Sequence, residues 1–146
     1  MSEPTLFESI VAGDVPSHKI SEGEPWYAFL DIFPRTEGHT LVVPKFGVQR
    51  LSDLSQPQRN ALFDGVVDVQ NRLSKKFSTT DFTVCIHDGP LAGQEVPHVH
   101  VHVLPRLKAD GGKTLHAMWP QSLPIGGEID HSALSQLAKS LRGEER

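Results

Sequence analysis

A single cysteine, Cys85, stands among the 146 residues, so no disulfide can form within the chain and a disulfide-framed exported scaffold is excluded. No stretch approaches the ~18 consecutive apolar residues of a membrane-spanning helix. The first residues, Met1-Ser2-Glu3-Pro4, carry neither the basic nor the apolar segment of a secretory leader, and a cytoplasmic location is the expectation. Basic charge is not in excess either: 14 Lys and Arg face 18 Asp and Glu, a formal net charge of -4. A surface of that sign gathers no polyanion, which argues against nucleic acid as a partner, whereas a pocket can still hold a small nucleotide with a few local donors. Repeats and low-complexity linkers are lacking too. What remains, 38% hydrophobic residues in a chain of this length, suits one compact domain with its own core.

Within that domain, apolar spacing marks the elements. Leu6, Phe7, Ile10 and Val11 recur at helical intervals after Pro4-Thr5 and stop at Gly13, which predicts a short amphipathic helix. Trp26 to Ile32 and Thr40 to Val43 are rich in β-branched and aromatic residues and are separated by a Pro- and Gly-containing loop, so they read as two antiparallel strands. Ser55-Gln56-Pro57-Gln58 has the form of a capping box, and Leu62, Val66, Val69, Leu73 and Phe77 follow at helical spacing. Asp81 to His87 reads as a strand that buries Cys85 as a small core residue, and Asp88-Gly89-Pro90 breaks it. Another strand runs from His98 to Leu104. Beyond Pro105 the pattern weakens until Ile129, Leu134, Leu137 and Leu141 predict a final helix with a frayed end.

The chemistry concentrates in His98-Val99-His100-Val101-His102-Val103-Leu104. Residues two apart in a strand share a face and rise ~6.6 Å, so three imidazoles line one side and three valines the other. Burying three imidazoles as mere packing requires partners for six ring nitrogens, and apolar residues would fill the same space at lower cost. A metal site is one functional reading, since His-x-His on a strand supplies two ligands to one ion. Three successive same-face positions span too far for a single ion, so a further ligand would come from His39 or His87. The other reading is covalent catalysis on phosphorus: imidazole is a neutral nucleophile near pH 7, and its neighbours can hydrogen-bond phosphate oxygens.

These residues resemble the histidine-triad proteins, whose signature is His-φ-His-φ-His-φ-φ with φ apolar. The likeness extends upstream through Ala92-Gly93-Gln94-Glu95-Val96-Pro97 and downstream to Pro105-Arg106. It continues in Phe29-Leu30-Asp31-Ile32-Phe33-Pro34 and in Gly38-His39-Thr40-Leu41-Val42-Val43-Pro44-Lys45, covering about residues 5 to 107 and leaving 108 to 146 as a tail of the same domain. The resemblance implies an α+β fold with a five-stranded antiparallel sheet, one long and one or two short helices, and a homodimer. It implies that His100 is the nucleophile taking up a nucleoside monophosphate, that His98 and His102 bind and orient the phosphate, and that His39 supports the site. Asp31 falls where the ribose hydroxyls are held, Ile32 where the base is walled, and Gly93, Gln94, Glu95 and Val96 where a loop meets the phosphate.

Three departures from the family pattern stand out. His87 stands where many members have Asn or Gln, and Glu95 where some place Ser or Thr. Thr5 and Glu8 occupy the positions of a Cys-x-x-Cys zinc clip found in many bacterial members, so no structural zinc is expected, and no metal or cofactor is expected to be required. The implied activity is hydrolysis at the α-phosphate of a nucleoside phosphoramidate or a dinucleoside polyphosphate, with a purine nucleotide as partner. Two rivals stay open: a nucleotide-binding regulatory protein with incidental turnover, and a metal-dependent hydrolase. Trp119 either anchors the tail or reaches a partner subunit's pocket.

Overall fold

The capping box read at Ser55 is formed in the computed structural model, which describes residues 3–112, 115–121 and 126–144, and a second is formed at Thr5. Helix α1 (Leu6–Val11) is capped by Thr5, whose hydroxyl accepts from the Glu8 amide at 3.0 Å. Helix α2 (Gln56–Phe77) is capped by Ser55 with Gln58 reaching back, and it ends at Ser78 in the left-handed conformation. The strands are β1 (Lys19–Glu22), β2 (Trp26–Leu30), β3 (Thr40–Pro44), β4 (Phe82–Cys85) and β5 (Val101–Pro105). They form one five-stranded sheet in the order β1-β2-β3-β5-β4, with every neighbouring pair antiparallel. The α+β fold with one long helix matches expectation.

Because successive strand residues alternate faces, the register sorts the sheet into two surfaces. Ala28, Val42, Val101 and Val103 sit on one, packed with Val99 against Leu62, Val66, Val69 and Leu73 of α2. Each such fully buried aliphatic side chain contributes about 1.5–3 kcal/mol relative to exposure. At Gly65 the helix touches the sheet without a side chain: a Cβ there would lie 2.6 Å from the Trp26 ring. The opposite surface carries Tyr27, Phe29, Leu41 and Val43, covered by Phe7 and Ile10 of α1. On this second surface Phe29 pairs with Leu41, Leu41 with His102, and His102 with Cys85. The chemistry-bearing face therefore continues the smaller of the two cores.

Several expectations are corrected. Strand β1 has no counterpart in the sequence reading, because Lys-Ile-Ser-Glu offers one apolar residue and no alternation. The triad strand begins at Val101 rather than His98: ahead of it His98 and His100 lie outside the ladder, with Val99 donating to the Val48 carbonyl at 2.7 Å. The fourth strand spans Phe82–Cys85 instead of 81–87, and Cys85 is half-buried, facing a cavity rather than the core. Burial nonetheless pushes its thiol pKa up.

The chain forms two compact units, Met1–Asp110 and Gly111–Arg146. The second contains a short 3-10 turn, Leu115–Met118, and helix α3 (His131–Leu141), whose Asp130 cap accepts from the Ala133 amide at 3.0 Å. Among the described residues no helix is long and apolar enough to cross a membrane.

Candidate active site

A pocket of about 610 Å³ opens on the second face of the sheet, a size that suits a small-molecule ligand. Leu6, Phe7 and Ile10 of α1 and Phe29 and Leu30 of β2 build an apolar side. The polar side is set by Asp31, His39, His87, Glu95, His100 and His102, with Gly93 and Val96 between them. Ile32 stands at the rim, 66% exposed. Of the residues expected at the site, all but two thus line one cavity.

The exceptions are His98 and Gln94. His98 is wholly buried behind the pocket, its ring against Phe7 at 5.5 Å between centroids, and it does not line the cavity where a phosphate-binding role was expected of it. Gln94 donates its amide to the Gln49 carbonyl at 2.8 Å and leaves Oε1 buried without a partner among the described residues. Phe7, Arg35 and Cys85 also line the cavity and were not singled out. The helical spacing of Leu6, Phe7 and Ile10 was legible, but only as a core-facing stripe.

Hydrogen-bond partners assign the histidine protons. The Arg35 amide donates to His39 Nδ1 at 3.2 Å, so a neutral His39 ring carries its hydrogen on Nε2. That N–H donates to His102 Nδ1 at 2.9 Å, which places the His102 hydrogen on Nε2. His102 Nε2 is buried and has no partner among the described residues: it is an unused donor beside the pocket. His100 Nδ1 donates to the His98 carbonyl at 2.8 Å, leaving a lone pair on Nε2. His87 Nδ1 donates to the Ala92 carbonyl at 2.7 Å, and its ring meets the His102 ring edge-on.

Burial favours the neutral form of four of these rings, His39, His98, His100 and His102. Burial lowers the pKa of His39, His98 and His100, with Asp31 and Glu95 opposing it only partly at His100. His102 falls furthest, to about 4, through burial and then the neighbouring His100, His39 and His87. Asp31 Oδ2 lies 3.6 Å from His39 Nε2, and with His39 neutral this is an ion–dipole contact rather than an ion pair. Its other oxygen accepts from the Phe33 amide at 2.8 Å, which holds the carboxylate at the pocket edge with lone pairs to spare. Asp31, His39 and His102 also bring one ligating atom each within 4.8 Å of one another, spacing that would admit a cation in place of the His39 proton.

Comparison with known proteins gives the chain a family. The HIT domain family matches residues 12–109, more than half the chain. The chain belongs to the HIT family. An adenosine 5'-monophosphoramidase of Saccharomyces cerevisiae is 34% identical over 136 residues, covering 93% of this HIT chain and 79% of the yeast protein. The asymmetrical bis(5'-nucleosyl)-tetraphosphatase of Schizosaccharomyces pombe is 47% identical over 83 residues, 57% of this chain and 46% of that one. A solved structure from Streptococcus mutans superposes with a TM-score of 0.83 at 35% identity, over 99% of this chain and 87% of its own. The fold is therefore shared with that structure along nearly the whole chain, the HIT domain itself spanning residues 12–109.

Proposed function

We propose that this HIT chain is a nucleotide hydrolase that acts at the α-phosphate of a nucleoside phosphoramidate or a dinucleoside polyphosphate through a covalent nucleotidyl-His100. The carrying observation is the pairing of a His100 ring whose Nε2 lone pair is unprotonated with a His102 Nε2–H that has no protein partner. The first is a nucleophile that needs no prior deprotonation; the second is a donor placed for an oxygen that only a substrate supplies. Relatives named as a phosphoramidase and as a tetraphosphatase support hydrolysis of nucleotides as the general activity.

The steps follow from the proton assignment. His100 Nε2 attacks the α-phosphorus, a P–N bond forms, and the bond to the leaving group breaks with its electron pair on the departing atom, a departing amine nitrogen taking a proton from solvent and a departing phosphate leaving as the anion. His100 becomes cationic on its ring, and the His98 carbonyl holding Nδ1–H stabilises that charge. His102 Nε2–H hydrogen-bonds a phosphoryl oxygen as negative charge develops, and His39 keeps it in that tautomer. Water then attacks the phosphorus, the P–N electron pair returns to Nε2, and the proton of water passes to the released nucleotide or solvent. A purine base fits against the apolar wall of α1 and β2, and the Asp31 carboxylate can accept from the ribose hydroxyls. No metal enters these steps. Phe63 and Val67 on α2 and Val84 on β4 are exposed apolar side chains suited to a second copy of the chain, so the active form is proposed to be a homodimer.

The test is release of AMP from adenosine phosphoramidate and, separately, from diadenosine polyphosphates, by wild type and His100→Ala, with and without chelator. Release that survives chelation and disappears with His100→Ala supports the mechanism and names the substrate class. Comparable release by both proteins overturns it, and release abolished by chelation favours a cation at Asp31, His39 and His102.

A further inference from the structure

The Thr5 hydroxyl joins the start of α1 to a histidine 93 residues away in sequence. Its oxygen accepts from the Glu8 amide at 3.0 Å and lies 2.6 Å from His98 Nδ1. On the far side of the same ring His98 Nε2 faces the Pro44 carbonyl at 2.8 Å. A carbonyl only accepts, so the neutral ring carries its hydrogen on Nε2 and presents a lone pair at Nδ1. The hydroxyl proton of Thr5 therefore points at His98. Glu8 fixes the cap in turn, with Oε1 accepting from the Thr5 amide at 3.0 Å and Oε2 from the Gly47 amide at 2.9 Å. Both bonds lower the Glu8 pKa, so the clamp stays charged and closed.

This link matters because His98 and His100 lie ahead of β5, where the sheet ladder does not hold the backbone. Beside the backbone bond from Val99 to the Val48 carbonyl, the His98 side chain ties the segment down, between α1 and the end of β3, and its own carbonyl holds His100 Nδ1–H at 2.8 Å. Phe7, on the same helix as the cap, packs edge-on to both rings, at 5.5 Å from His98 and 5.1 Å from His100.

We propose that Thr5 is a positioning residue for catalysis: its hydroxyl locks the tautomer and placement of His98, and through the His98 carbonyl it fixes the orientation of the His100 nucleophile. The inference rests on the proposed role of His100. It assigns a function in the active site to a residue that lines no part of the pocket. Displacing a reacting group by even ~1 Å costs up to about 100-fold in rate, so loss of this tether falls on the chemical step.

The experiment compares wild type with Thr5→Val, Thr5→Asp and Thr5→Ser, reading steady-state kinetics and the ring 15N shifts of His98 and His100. Valine removes the hydroxyl at similar shape. Aspartate still offers an oxygen to the Glu8 amide, preserving the helix cap, but at pH 7 has no proton for His98. Serine keeps both functions. The expected result is kcat lowered about tenfold or more for valine and aspartate, KM within about twofold, serine close to wild type, and altered His98 and His100 ring shifts in the two impaired variants. If aspartate turns over like wild type while valine does not, Thr5 is a helix cap only and the proposal is overturned. It is equally overturned if valine turns over normally. Should valine not fold, aspartate against serine carries the comparison. Wild-type turnover that does not depend on His100 would refute the underlying mechanism instead; the ring shifts then still decide whether Thr5 governs the two histidines.

Discussion

Among the residues of the site, protonation state sorts the roles. Burial holds the imidazoles of His39, His98, His100 and His102 below the ordinary histidine value of 6.5, the last at about 4. A folded chain that resists protonation while its unfolded form accepts protons near 6.5 binds fewer protons in the interval between. Stability therefore rises with pH across that interval, is fully present above about 6.5, and is lost as pH falls toward 4. Thermal unfolding at pH 5 should come at least about 3 °C below that at pH 7.5. Staying at pH 5 or above keeps Glu8 charged, since its pKa lies below 4.5. An unfolding midpoint independent of pH in this range would mean that the four rings are not buried as a neutral set.

At the scale of elements, the approach of α2 to the sheet fixes where the triad strand lies. Gly65 makes that approach possible, because any side chain would meet Trp26, whose ring atoms lie 2.6–3.0 Å from where a Cβ would be. Gly65→Ala gains helix propensity of about 1 kcal/mol but overpacks the core at a cost of about 1–3 kcal/mol. A lowered melting temperature, read by circular dichroism, is the expected outcome; a raised one would show that the interface yields freely. The same elements show what sequence can and cannot reveal. Valine and histidine alternation marked the two faces of β5, and a capping box marked the start of α2, since these signals are local. Strand β1 was silent because its pairing with β2 is made by backbone groups, whatever its side chains. The sequestration of His98 was hidden too: its alternation is that of a strand, and only the distant Thr5 and Pro44 show that its ring is tied down outside the pocket. Gln94 likewise sits in the expected loop but answers to the Gln49 carbonyl, a contact 45 residues away.

For the whole molecule, the exposed Phe63, Val67 and Val84 predict self-association. Size-exclusion chromatography with light scattering should give a particle of two chains, each 16.1 kDa. A particle of one chain would remove the homodimer from the account and leave the pocket of the first unit to act alone. Among the described residues that pocket is lined by side chains from Leu6 to Leu104, and the chemistry proposed there centres on His100. The most direct test of that chemistry is to trap the intermediate. Rapid mixing with adenosine phosphoramidate or a diadenosine polyphosphate, quenching in denaturant and intact-mass measurement should show the chain carrying one adenylyl group, mapped by peptide fragmentation to His100 and missing from His100→Ala. Turnover in which no adenylylated chain accumulates under single-turnover conditions, or an adduct mapped to another residue, would contradict nucleophilic catalysis by His100.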